Sequence, residues 1–186
     1  MSIRSLYLQK YPAHTDVFVD PEPIEPWTFP LCSLALKKVN PLWEGSVSWV
    51  YSLEDPYNEA AAEFANDLCV LDMQLSFHRE QGKYRFAADL GFFRPSAKWV
   101  RFVDEVRASY RESRAKGGSV GKKALRFGGR PKWTQSDATP VDPSGNKMHF
   151  IGQVYSGDFF WSLVGKDLFL FYSPEHDLVT QVSQGT

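Results

Sequence analysis

Apolar and polar residues alternate along several short segments of the chain, and this period of two is typical of β-strands with one buried face. Large apolar residues alternate with serines in residues 46–53. In residues 68–78, the apolar face is Leu71, Met73, Leu75 and Phe77, and the polar face is Asp72, Gln74, Ser76 and His78. Further strands are predicted at residues 27–39, 84–90, 148–154, 166–172 and 178–182. Glu80-Gln81-Gly82-Lys83 predicts a tight hairpin between two of them.

Two segments have helical patterns instead. A single apolar stripe with spacing i, i+3, i+4, i+7, i+11 predicts a long amphipathic helix at about residues 97–115, capped by Ser96 and ended by Gly117-Gly118. Its members are Trp99, Phe102, Val103, Val106 and Tyr110. A short helix is predicted at about residues 56–66, with Asp55 as its N-cap and Pro56 at its first position.

These elements predict a β-rich α+β fold, with antiparallel strands in a single compact domain of residues 1–186. Residues 1–30 are proline-rich and are expected to form an irregular or edge segment, tied down by Val17, Phe18, Trp27 and Phe29. No leader-like or membrane-spanning apolar run is present, so a cytoplasmic protein is expected. Cys32 and Cys69 lie far apart and are expected to be reduced thiols in the core.

Charge is distributed unevenly along the chain. Residues 1–93 hold 7 Lys and Arg against 13 Asp and Glu, a net charge of −6. Residues 94–132 hold 12 against 3, a net charge of +9, and residues 133–186 hold 2 against 6, a net charge of −4. A basic middle between acidic ends indicates separate charged surfaces that could steer a partner.

Residues 128–154 combine loop, turn and strand signals. Gly128-Gly129 permits positive φ, Pro131 keeps the next step extended, and Trp133 offers a large ring to bury. Asp142-Pro143-Ser144-Gly145 is a tight-turn sequence, and a dense strand follows it.

These residues resemble the YwqG-like family. The resemblance lies in Gly128-Gly129-x-Pro131-x-Trp133-x-Gln135, in the strand Met148-x-Phe150-Ile151-x-Gln153, and in the apolar strand from Lys166 to Phe171. It covers residues 126–173, about a quarter of the chain. It implies a β-rich fold with no catalytic residues to carry over. Some members lie beside polymorphic toxins in bacterial genomes, which implies a toxin-neutralising role.

Signatures of catalysis and metal binding are incomplete. Gly117-x-Ser119-x-Gly121 has a helix before the serine, where a nucleophile elbow needs a strand, so no hydrolase activity is predicted for Ser119. Gly121-Lys122 lacks the other residues of a phosphate-binding loop. The four histidines, His14, His78, His149 and His176, have no metal-ligand spacing, and neither a metal nor a cofactor is predicted. Asp72 and His78 could do acid–base work, but the strand alternation explains them as a solvent-facing row.

Two functions remain open. The preferred hypothesis is a non-enzymatic immunity protein that occludes a bacterial toxin. Nucleic acid is a less favoured partner, because the basic stretch carries no nucleic-acid recognition motif. Its candidate partner-binding residues are the acidic Asp16, Asp20, Glu22 and Glu25 and the basic Arg107, Arg111, Arg114, Lys116, Lys122 and Lys123. The acidic segment is the preferred plug. The alternative is an enzyme or small-ligand-binding protein with a pocket lined by Trp133, Gln135, His149 and Gln153.

Overall fold

Antiparallel strands dominate the structure, a computed structural model that describes residues 8–55, 57–117, 125–162 and 165–185. The strands of these residues are β1 Leu8–Lys10, β2 Thr28–Ala35, β3 Ser46–Ser52, β4 Gln74–Glu80, β5 Lys83–Phe86, β6 Leu125–Phe127, β7 His149–Tyr155, β8 Lys166–Ser173 and β9 Leu178–Gly185. The α-helices are α1 His14–Val17, α2 Glu59–Ala62 and α3 Val100–Ala115. Short 3-10 helices lie at Leu36–Lys38, Leu90–Phe93 and Ser156–Asp158. The predicted β-rich α+β class is confirmed.

The strands form two sheets. One has the order β1-β2-β3, and the other has the order β5-β4-β9-β8-β7-β6, with antiparallel pairing between all neighbouring strands named here. The predicted hairpin is present between β4 and β5, where Glu80 pairs with Lys83. Gln81 and Gly82 have φ values of 51° and 82°, as a two-residue hairpin of type I′ requires.

The edge of β3 lies against the face of the larger sheet. The Tyr84 hydroxyl accepts from the Ser48 N–H at 2.6 Å and donates to the Ser48 carbonyl at 3.1 Å. The Gln181 amide accepts from the Val50 N–H at 3.0 Å and donates to the Val50 carbonyl at 2.7 Å. These two side chains satisfy backbone groups that a further strand would otherwise pair.

Helix α3 covers the core beside β2. Val103, Val106 and Tyr110 are buried, as the apolar stripe predicted, and the Tyr110 hydroxyl donates to the Pro30 carbonyl at 2.6 Å. The helix begins at Val100 after a turn at residues 97–99, and no side chain caps it, so the capping role predicted for Ser96 is wrong. Gly117, with a φ of 70°, follows the helix as predicted.

The short helix differs from its prediction. It spans only Glu59–Ala62, and its N-cap is Asn58, whose side chain accepts from the Ala60 N–H at 3.2 Å. Asp55 is buried and accepts instead from the N–H groups of Tyr57 at 3.1 Å and Ser96 at 3.0 Å. Its carboxylate therefore joins two loops.

Two strand predictions need correction because the second sheet and neighbouring loops cover the polar faces. Only Ser46 is exposed in β3, which was expected to be half-buried. β4 begins at Gln74, so Met73 is not on its buried face and is 57% exposed. Ser76 was placed on a solvent-facing row, but it is fully buried and shares a hydrogen bond of 2.8 Å with Thr180.

The proline-rich start of the chain is partly regular within the described residues. β1 pairs with β2, and α1 buries Val17 against the core, while Phe18 bridges Tyr84 of β5. Cys32 and Cys69 are buried free thiols, and burial raises the pKa of Cys69 to about 12. Among the described residues, no helix is long and apolar enough to cross a membrane.

Candidate functional site

The glycines of the Gly128–Gln135 motif are required by the backbone. Gly128 and Gly129 have φ values of 62° and 74°, and the Gly128 N–H donates to the Ile151 carbonyl at 2.8 Å. Gly145, with a φ of 81°, closes the predicted turn through a bond of 2.8 Å from its N–H to the Asp142 carbonyl. Side chains other than glycine are strained at these φ values. The loop from β6 to β7 is therefore bent by glycines at both ends.

Trp133 holds this loop on the outer face of the larger sheet. Its ring centroid lies 4.5 Å from that of Phe169 and 5.9 Å from that of Phe171, both on β8. These phenylalanines belong to a second apolar cluster, together with Met148, Leu178 and Val182. Residues Pro131 to Ala138 thus form a cover for a sheet face that would otherwise be exposed.

Trp133→Ala should lower the free energy of unfolding by about 2–3 kcal/mol, because it uncovers Phe169 and Phe171. The ring is only partly buried, so the loss is smaller than for a fully buried tryptophan. Chemical denaturation measures the change, with Trp161→Ala as the control because Trp161 is 57% exposed. Equal stability of the two variants would show that the motif tryptophan does not secure the loop.

Two glutamines of the sheet bind the loop backbone. Gln153 accepts from the Lys132 N–H at 2.9 Å, and Gln184 accepts from the N–H groups of Thr134 and Gln135, both at 2.9 Å. The Gln184 amide also donates to the Ser136 carbonyl at 2.8 Å. The Gln135 amide donates to the Gly185 carbonyl at 3.2 Å. These glutamine side chains fix the position of the loop above β7, β8 and β9.

A cleft of about 440 Å³ lies between the loop and the sheet. Its lining residues are Arg126, Lys132, Trp133, Thr134, Gln153, Val154, Tyr155, Asp158 and Asp167. Of the residues predicted to line a pocket here, Trp133 and Gln153 do so. Gln135 and His149 do not, and the His149 ring lies instead 5.1 Å from the Trp43 ring.

The acidic partner-binding candidates lie on the surface of the N-terminal segment. All four are exposed. Asp16 accepts from the Ala13 N–H at 3.3 Å, Asp20 lies 2.9 Å from Arg85, and Glu25 lies 4.0 Å from His14. Glu22 has no side-chain partner among the described residues.

Buried groups beneath these carboxylates fix the acidic segment. The His14 Nε2 lies 2.7 Å from the Thr28 carbonyl, and Phe18 and Ile24 are buried. Burial lowers the pKa of His14, and the charge of Arg114 adds to this lowering, while the Thr28 carbonyl and Glu25 oppose it. His14 is therefore a neutral anchor near pH 7, and it does not offset the negative charge of the nearby carboxylates.

An apolar groove opens beside Asp20. Its volume is about 250 Å³, and it is lined by Phe18, Asp20, Pro23, Ile24, Tyr84, Arg85, Phe86, Ala88 and Leu90. Arg85 bonds both Asp20 and Glu80 at the rim, with distances of 2.9 and 2.6 Å. The groove thus has an apolar floor, and the cation at its rim, Arg85, is paired with two carboxylates. The sequence contained the acidic residues, but nothing in it indicated the groove.

Two of the basic candidates lie beside the acidic segment. Arg107 donates to the Pro26 carbonyl at 2.9 Å, and Arg114 lowers the pKa of His14 through its charge, so α3 lies against the acidic segment. Lys116 pairs with Glu112 at 2.5 Å, and Arg111 is exposed. Lys122 and Lys123, and also Ser119, lie outside the described residues.

The structure contains a cluster of charged residues, two of them buried, that the sequence patterns did not predict. The Lys166 ammonium lies 2.7 Å from Asp72 Oδ1, and Glu54 accepts from the Asp72 N–H at 2.6 Å and from the Ser52 hydroxyl. Lys166 and Glu54 are 7% and 5% exposed. The strand alternation could have predicted the burial of Lys166, because Lys166 lies on the same face of β8 as Leu168 and Leu170, which are in the core.

Three residues could hold a metal ion. The ligand atoms of Asp142, Glu175 and His176 lie within 4.8 Å of one another. The Asp142 carboxylate already accepts from the N–H groups of Ser144 and Asn146 at 2.9 and 3.0 Å, and from the Ser173 hydroxyl at 3.0 Å. These bonds explain the position of Asp142 as part of the turn.

No family model matches the chain, and neither a curated protein nor a solved structure is significantly similar to it. Its function is therefore inferred from two features, the acidic surface with its apolar groove and the cleft beneath the motif loop.

Proposed function

We propose that this protein is a non-enzymatic, cytoplasmic binding protein that occludes a cationic protein partner. The observation that carries the proposal is an apolar groove lined in part by Asp20, in a segment whose other carboxylates, Asp16, Glu22 and Glu25, are exposed. Carboxylates steer a cationic partner toward the surface, and a desolvated apolar pocket gives the contact its affinity. The resemblance to the YwqG-like family supports a bacterial toxin as that partner.

The acidic segment is organised before binding, which favours it as the plug. Phe18 and Ile24 are 1% and 3% exposed, and the Val19 N–H donates to the Tyr84 carbonyl at 3.0 Å. A segment held in this way loses little conformational entropy when a partner covers it. The basic residues have a supporting role in this proposal, because Arg107 ties the helix to the segment.

Site-specific photo-crosslinking tests this proposal in the cells that produce the protein. A benzophenone side chain replaces Glu22, or it replaces one of two exposed controls, Lys37 after β2 or Arg111 on α3. We expect one protein to be cross-linked from Glu22 and from neither control. That protein should arrest growth when expressed alone and should be harmless when this chain is expressed with it. Cross-linking from Arg111 alone, or a cross-linked protein that is harmless alone, would refute the proposal.

A further inference from the structure

The cleft beneath the motif loop contains charged side chains that no contact within the described residues uses. Arg126, Lys132 and Asp158 line the cleft, and their side chains have neither an ion-pair nor a hydrogen-bond partner in this part of the chain. Asp167 uses one carboxylate oxygen, for the Thr134 hydroxyl. Charged groups that converge on a cleft without internal partners are available to a ligand.

The cations and the carboxylates of the cleft lie at different positions along β7. Arg126 is paired with Gln153, and the Gln153 amide oxygen accepts from the backbone N–H of Lys132, so both residues lie beside Gln153 and line the cleft there. Asp167 is paired with Tyr155, two residues further along. Asp158 follows Tyr155 beyond the end of the strand and also lines the cleft. A step of two residues in a strand is about 7 Å. The cleft is therefore positive at one end and negative at the other.

We propose that the cleft binds a short peptide with free termini. The peptide carboxylate lies at Arg126 and Lys132, and its ammonium group lies at Asp158 and Asp167. An extended peptide advances about 3.3–3.6 Å per residue, so two or three residues span the two charged ends. Tyr155 lines the cleft at its Asp167 end. The volume of about 440 Å³ is that of a small-ligand site.

This site is independent of the proposed protein partner. The cleft lies at the β6 edge of the larger sheet, and the acidic groove lies at the opposite, β5 edge. Glu22→Lys should therefore leave peptide binding unchanged. Loss of one activity can be distinguished from loss of the other.

Calorimetric titration with trialanine tests the proposal. The controls are trialanine acetylated at its N-terminus, amidated at its C-terminus, or blocked at both. We expect the free peptide to bind and each single block to weaken binding by about tenfold or more, which corresponds to about 1.4 kcal/mol. No binding of free trialanine at millimolar concentration, or equal binding of the doubly blocked peptide, would overturn the proposal.

Two variants assign the ends of the peptide. In Arg126→Gln, amidation should have little further effect, whereas acetylation should still weaken binding. Asp158→Asn should show the reverse. Both variants should melt like the unaltered protein, because neither side chain has an internal partner in the described residues. If both blocks weaken binding to each variant as strongly as to the unaltered protein, the assignment of the ends is wrong.

Discussion

Lys166→Met should lower the free energy of unfolding by about 3–5 kcal/mol at neutral pH, because it leaves a buried carboxylate without its counterion. Burial alone would lower the pKa of Lys166, but the carboxylates of Glu54 and Asp72 raise it above its usual value. Lys166 is therefore charged in the folded protein. Among the described residues, Lys166 is the cation whose charge acts on the Glu54 carboxylate.

The loss of unfolding free energy in Lys166→Met should depend on pH. Burial raises the pKa of Glu54, and Lys166 opposes that rise, so removing Lys166 should raise the pKa further. A carboxyl with a raised pKa in the folded state binds its proton more tightly than in the unfolded state, and stability then falls as pH rises from the unfolded pKa through the folded pKa. The deficit of Lys166→Met should therefore be smaller near pH 5 than at pH 7.

Two controls separate this effect from a packing defect. Glu54→Gln combined with Lys166→Met should recover a large part of the loss, because the buried charge is gone. Asp72→Asn should cost about 1 kcal/mol or less, because the Asp72 side chain is 50% exposed. Urea denaturation at pH 5 and pH 7 measures all of these variants. A deficit that is equal at both pH values would contradict the role of Glu54.

Gln181→Leu should lower the free energy of unfolding by about 2–5 kcal/mol. The side chain is 1% exposed and bonds both backbone groups of Val50, so its loss leaves a buried N–H and a buried carbonyl without partners. Gln153→Leu is the matched control, because its partner Lys132 is exposed and water can replace the lost bonds. A loss from Gln181→Leu no larger than that from Gln153→Leu would show that this amide does not join the sheets.

Local signals were enough to predict most of the strands, the long helix and the hairpin. The strand pattern depends on neighbouring residues, and the tight turn at Gln81 and Gly82 depends on two residues alone. The burial of Ser76 and of the polar face of β3 could not be predicted in this way. It arises because a second sheet covers β3 and loop residues 68–69 cover Ser76, which are contacts between distant or irregular segments.

The candidate site was predictable only where it depends on local sequence signals. Turn chemistry identified Gly128 and Gly129, and the acidic residues were visible as a charge run. The groove is formed by residues of two segments, represented by Ile24 and Phe86, which are distant in sequence. The Lys166–Glu54 cluster likewise joins residues from opposite halves of the chain. The alternation of residues along β8 places Lys166 on the core-facing side, but it does not show which residue Lys166 pairs with.

The affinity of the cross-linked partner for charge-reversed variants tests the proposed function most directly. Glu22→Lys with Glu25→Lys changes two exposed carboxylates and leaves the Asp20–Arg85 pair intact, and Arg111→Glu is the control on α3. At low salt the double variant should bind at least about tenfold more weakly, which corresponds to about 1.4 kcal/mol, and the difference should shrink at high salt. Arg111→Glu should bind normally. Unchanged affinity of the double variant at both salt concentrations would contradict binding through the acidic surface.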